Sequence, residues 1–104
     1  MRDFMKILQQ AQEMQGRLQK MQEELEAITV HGSAGGGLVS VEANGKGTVT
    51  RIKIDPSVVK PDDVEMLEDL VTAAVAEAQR QAKELQEREM GSAMGGMSGL
   101  GGLF

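Results

Sequence analysis

Apolar residues return along the first quarter of the chain with a period of seven. Phe4, Ala11, Leu18 and Leu25 form one series, and Ile7, Met14, Met21 and Ile28 form the complementary one. Alternating steps of three and four place both series on one face of an α-helix, as the a and d positions of a heptad seam. The spacing predicts a helix from about Arg2 to Ala27. Gln, Glu, Lys and Arg fill the other positions and favour the same state. Met5 and Leu8 widen the stripe near the N-terminus. Gly16 weakens it, at about 1 kcal/mol relative to alanine in a helix interior.

The period then shortens. Ile28-Thr29-Val30-His31 reads as a short β-branched strand. Gly32 to Gly37, Gly-Ser-Ala-Gly-Gly-Gly, reads as a connector. Beyond it, alternation predicts a hairpin with a two-residue turn at Gly45-Lys46 and Asn44 opposite Gly47. That register sets Val41 against Thr50 and Val39 against Ile52 on an apolar face. Glu42 then meets Val49, Ser40 meets Arg51 and Leu38 meets Lys53 on the other face. Asp55-Pro56-Ser57 ends the strand. Pro61 suits a first helical turn, and Asp62 and Asp63 complement the helix dipole. A second helix is predicted to run to about Met90, with Val64, Leu67, Val71, Ala74, Ala78, Ala82 and Leu85 on one stripe. The expected fold is α+β: helix, three-stranded antiparallel sheet, helix. Residues 1–90 form one domain, and residues 91–104, rich in Gly and Met, form a flexible tail.

Composition makes this a thin-cored molecule. Of 104 residues, two are aromatic, Phe4 and Phe104, and none is Trp or Tyr. Burial must come from aliphatic residues and Met spread over extended elements. Such a chain leaves apolar surface uncovered, which predicts a homodimer. Val39, Val41, Ile52, Ile54, Leu67 and Val71 are the expected core and dimer residues, with the two isoleucines buried against helices or the partner. There is no cysteine, which excludes disulfides, zinc–thiolate sites and thiol catalysis. No apolar run suits a membrane span or a signal-peptide core, so the expected location is cytoplasmic.

The net charge of −5 is unevenly spread. Residues 1–27 sum to −1, residues 28–60 to +2 and residues 61–104 to −6. Basic side chains dot both helices: Arg2, Lys6, Arg17 and Lys20 on the first, Arg80, Lys83 and Arg88 on the second. Arg51 and Lys53 share one strand face. Cations placed along two helices can contact phosphates, although such charges also solvate ordinary helix faces. With no internal aromatic to stack bases, any nucleic acid that the chain binds should be duplex rather than single-stranded.

Other chemistry finds no support. The glycine-rich loop lacks the Gly-Lys-Ser/Thr of a phosphate-binding loop, and no helix follows it directly. His31 is the sole histidine and has no cysteine or second histidine to join it. The acidic group Asp62, Asp63, Glu65, Glu68 and Asp69 lacks the spacing of a calcium loop. No catalytic residue, metal site, cofactor or small-molecule substrate is expected.

Three segments in order then resemble the YbaB/EbfC family of bacterial nucleoid-associated proteins. They are QAQEMQGRLQKMQEEL in the first helix, GSAGGGLVSVEANGKGTVTRIKIDPSVV through the hairpin and DVEMLEDLVTAAVAEAQ in the second helix. The resemblance implies a subunit that dimerises through its sheet and projects its helices as paired arms. It also implies binding to double-stranded DNA that alters DNA conformation, with roles in nucleoid organisation and gene regulation. On that reading Arg2, Lys6, Arg17, Lys20, Arg51, Lys53, Arg80 and Lys83 are the candidate DNA contacts. A different class also fits two heptad helices joined by β structure: a coiled-coil adaptor or a prefoldin-like chaperone that binds no DNA.

Overall fold

The computed structural model describes residues 2–95, with side chains from Asp3 to Gly91. Helix α1 spans Arg2–Ala27. Strands β1 (Thr29–Ala34), β2 (Val39–Asn44) and β3 (Val49–Ile54) follow, then a 3-10 turn at Pro56–Val58 and helix α2 at Val64–Gly95. The strands pair antiparallel in the order β1-β2-β3. The whole measures 72 × 24 × 17 Å. The helix–sheet–helix order expected from the pattern is present.

The core lies between α2 and one face of β1 and β2. Val39, Val41 and Ala43 from β2 are buried against Ala74 and Ala78 of α2, with Val58 closing one end. The alanines let the helix lie close to the sheet. Gly32 of β1 is what permits the contact. A Cβ there would collide with the Ala74 carbonyl oxygen and the Ala78 amide, and would stand 2.9 Å from the Ala78 Cα. Asp63 starts α2, its carboxylate accepting from the Met66 amide at 3.4 Å, which satisfies one of the donors a helix start leaves open.

The β2–β3 turn joins the three layers. Its Gly45 amide donates to the carbonyls of Leu25 (2.8 Å) and Ile28 (3.0 Å) at the end of α1. From α2, Gln86 donates to the Gly45 carbonyl at 2.8 Å and Gln79 to that of Gly47 at 3.3 Å. Leu25 is buried at this junction. From here α1 runs outward, and its side chains from Asp3 to Glu13 are exposed.

Several expectations need correction. The first strand extends through Gly32 to Ala34, because the glycine fits under α2 and the turn needs only Gly35 to Leu38. Gly35, Gly36 and Gly37 all take positive φ there. The hairpin register is offset by two from the predicted one: Val39 pairs with Ile54, Ser40 with Lys53, Val41 with Ile52 and Glu42 with Arg51. Two single-residue insertions cause this. Asn44 pairs with Thr48 through a three-residue turn whose Gly47 sits at φ 91°, a common bulged hairpin geometry. Thr50 is then left over between the Ala43–Val49 and Glu42–Arg51 pairs. One insertion alone would have exchanged the two faces of β3; two restore them. Ile52 and Ile54 therefore keep their inward direction.

They are not buried within the chain, however. Ile52 is 44% and Ile54 38% exposed, because α2 lies over β1 and β2 and leaves β3 uncovered. Leu67 and Val71 are half-buried, against the core cluster. Helix α2 begins at Val64 rather than at Pro61, and it continues past Met90 through Gly95. The remainder of the expected tail, 96–104, lies outside the described residues.

Candidate nucleic-acid interface

The helical repeat sorts the charges of α1. At about 100° per residue, Lys6, Arg17 and Lys20 fall within an arc of about 60°, Lys6 and Lys20 well off the a/d seam and Arg17 flanking it. They extend along roughly 21 Å of helix. All three are exposed, and none is ion-paired among the described residues. Glu13 is the one acid between Lys6 and Lys20. Arg2 opens the helix, and its side chain is outside the described set.

Helix α2 treats its cations differently. The Arg80 guanidinium is held from both sides, by Glu77 at 2.8 Å and Glu84 at 2.6 Å. Hydrogen bonding to Arg80, and then to Gln81, holds the Glu77 carboxyl below its ordinary range. The same bond to Glu77 raises Arg80 above the usual guanidinium value. Arg80 is thus a neutralised member of an exposed network. Lys83 is exposed next to Glu84, with Glu87 one turn on. The sequence already held this signal in the i, i+3 and i, i+4 spacing of Glu77, Arg80 and Glu84. It outweighs the proximity of Arg80 to Lys83.

The outer face of the sheet forms a third location. Arg51 and Lys53 project there beside His31, Ser40 and Glu42, around a shallow depression of about 170 Å³. Glu42 stands directly across from Arg51 and 3.7 Å from the His31 imidazole. Its carboxylate offsets one of the two cations. Lys46, in the turn, pairs with Glu26 of α1 at 3.0 Å. The seven candidates with described side chains therefore lie in three separate places. Among the described residues, the α1 series sets three cations without an ion pair along one side of a helix, with Glu13 among them.

Among the described residues no three histidine or carboxylate groups converge on a possible metal position. No helix there is long and apolar enough to cross a membrane.

An elongated α+β subunit, with a small sheet between two long charged helices, is the class this fold defines. Within it, the chain belongs to the YbaB/EbfC DNA-binding family, whose family model matches residues 1–97. It is 50% identical over 102 residues to "Nucleoid-associated protein DIP0260" of Corynebacterium diphtheriae, covering 98% of this chain and 96% of that one. A "Nucleoid-associated protein" of Mycobacterium sp. (strain KMS) is 52% identical over 99 residues, covering 95% and 90% respectively. The crystal structure of uncharacterized protein HP0035 from Helicobacter pylori superposes with a TM-score of 0.77 at 20% identity, over 85% of this chain and 92% of that one. That likeness establishes the fold. The family is one of DNA-binding proteins rather than enzymes.

Proposed function

We propose that this protein is a nucleoid-associated protein that binds double-stranded DNA as a homodimer. On this reading it alters DNA conformation and so contributes to nucleoid organisation and gene regulation, in the cytoplasm. Family membership and the names of its relatives support the class. The observation that carries the mechanism is the row of free cations on α1, Lys6, Arg17 and Lys20, on a helix that runs out from the body.

Lysine and arginine side chains at these positions meet phosphate oxygens and displace condensed counterions. They contact backbone rather than base edges, so affinity depends little on sequence. A dimer doubles the row to six cations. The uncovered apolar strip of Ile52 and Ile54 is the surface through which we place the partner. The acidic outer side of α2, with Asp69, Glu84 and Glu87, repels phosphate and directs DNA towards α1.

Electrophoretic shift of a duplex at several salt concentrations tests the reading. Six neutralised phosphates correspond to a slope of roughly −5 in log K against log salt. Sequence-unrelated duplexes should bind within a few-fold of one another. Absence of any duplex shift at low salt would overturn it and leave the adaptor reading.

A further inference from the structure

Antiparallel pairing orders the outer face of the sheet into rows. His31, Glu42 and Arg51 lie directly across from one another on the three strands. Two residues along, Ser33, Ser40 and Lys53 form the next row on the same face. The depression described above is lined by His31 and Ser40 together with Glu42, Arg51 and Lys53. We propose that this face is a phosphate-binding site whose strength is set by the protonation of His31. It is separate from the α1 row, and it rests on the duplex-binding reading only for where the phosphate comes from.

Charge and geometry choose the ligand. Arg51 and Lys53 are exposed, and neither is ion-paired among the described residues. A guanidinium fork, an ammonium and the Ser40 hydroxyl offer donors from two strands to a tetrahedral oxyanion. Glu42 is the one acid lining this depression, and it is the obstacle. With His31 neutral, two cations and one carboxylate leave a single positive charge. The Glu42 carboxylate stands 3.7 Å from His31 Nε2, too far for a hydrogen bond to a neutral ring. A proton on His31 draws that carboxylate towards β1 and away from Arg51, and it doubles the net positive charge of the site.

Histidine is the side chain that changes charge on mild acidification. The charged groups around His31 leave that response intact. Glu42 faces it from β2, with Arg51 and Lys53 beyond on β3. From α2, Glu77 reaches a second depression that His31 shares with Ser33 and Ser40. Arg80 already holds Glu77 at 2.8 Å, so Glu42 is the carboxylate free to answer the proton. The α1 row contains no histidine, which separates its behaviour from that of the sheet.

As the sole histidine, His31 gives a single imidazole signal. Proton–carbon NMR would follow it through a pH titration with and without sodium sulfate, a tetrahedral dianion throughout, at fixed ionic strength. Sulfate should move the titration to higher pH, because an anion that favours the protonated ring also favours its protonation. One more unit charge at about 5 Å corresponds to roughly fourfold in affinity. Sulfate binding, read from amide signals of β2 and β3, should therefore be about fourfold tighter near pH 6 than near pH 8. His31→Gln should bind equally at both. Glu42→Gln should bind near pH 8 as the parent does near pH 6, and joint Arg51→Ala and Lys53→Ala should remove binding. Circular dichroism should find all of them folded, since these side chains lie on the solvent face. Duplex gel shift at the same two pH values identifies the source of the phosphate. Tighter duplex binding in acid that His31→Gln lacks assigns it to DNA; a sulfate effect without a duplex effect assigns it to free phosphate. Failure of the parent to bind any duplex would overturn the DNA reading alone, because the sulfate measurements need no DNA. An imidazole titration indifferent to sulfate overturns the proposal, and so does a pH effect on sulfate binding that persists in His31→Gln.

Discussion

At the scale of single residues, the molecule depends on glycines placed where a side chain has no room. Gly32 lies under α2 with the Ala74 carbonyl and Ala78 amide immediately above it. Backbone cannot step aside as a flexible side chain can, so Gly32→Ala is expected to cost about 3 kcal/mol. Thermal denaturation should register a large fall in Tm, whereas Gly16→Ala, with nothing within 4 Å of the added Cβ, should stabilise by up to about 1 kcal/mol. A second residue-scale effect concerns acid. Glu77 titrates low in the folded chain because it is hydrogen-bonded to Arg80. A lowered carboxyl adds stability above the ordinary carboxylate range, and that addition is lost as pH falls through the folded-state value. Glu77→Gln should therefore melt below the parent near neutral pH, with the difference shrinking in acid. Being in contact with solvent on both sides, the pair should produce a small effect that salt reduces.

At the scale of elements, the two helices that look alike in sequence have different roles. Both are long, charged and rich in Gln and Glu. Helix α2 is the core helix, its alanine stripe pressed on β1 and β2. Helix α1 touches the body near Leu25 and carries its seam and its cations outward. Replacing Arg17 and Lys20 together by Ala should weaken duplex binding and flatten its salt slope by roughly 3 to 4 units if both copies lose two phosphate contacts. The corresponding change at Arg80 and Lys83 should alter binding far less, since Arg80 is already neutralised by Glu77 and Glu84. Gel shift with both double variants decides between the arms. Equal losses from the two would contradict the asymmetry. Circular dichroism should find both variants folded, because none of the four side chains lies on an apolar stripe.

At the scale of the whole molecule, a thin core leaves work for a second chain. Ile52 and Ile54 point to the side where α2 packs, but they stand beyond its edge. We expect sedimentation equilibrium to find a homodimer at micromolar concentration, and Ile52→Asp to dissociate it. Within the isolated chain Ile52 is 44% exposed, so the same substitution should leave a folded monomer if the chain can stand alone. It should unfold the protein if the dimer is obligate. A dimer unaffected by the charge would place the interface elsewhere.

The element order, the seam of α1, the dipole-complementing acids before α2 and the inward direction of Val39 and Val41 could all be read from the sequence. Each depends on local periodicity or local hydrogen bonding, which neighbours in sequence express directly. The hairpin register could not, because the three-residue turn at Gly47 and the bulge at Thr50 each shift it by one and together conceal the shift. The split between paired and free cations was half visible, in the Glu77, Arg80 and Glu84 spacing. What only the tertiary structure decided was coverage. Alternation marks Val41 and Ile52 alike as inward, yet α2 is narrower than the sheet and can bury one and not the other. Periodicity says which way a side chain points; where the chain's other elements end determines whether anything is there to meet it.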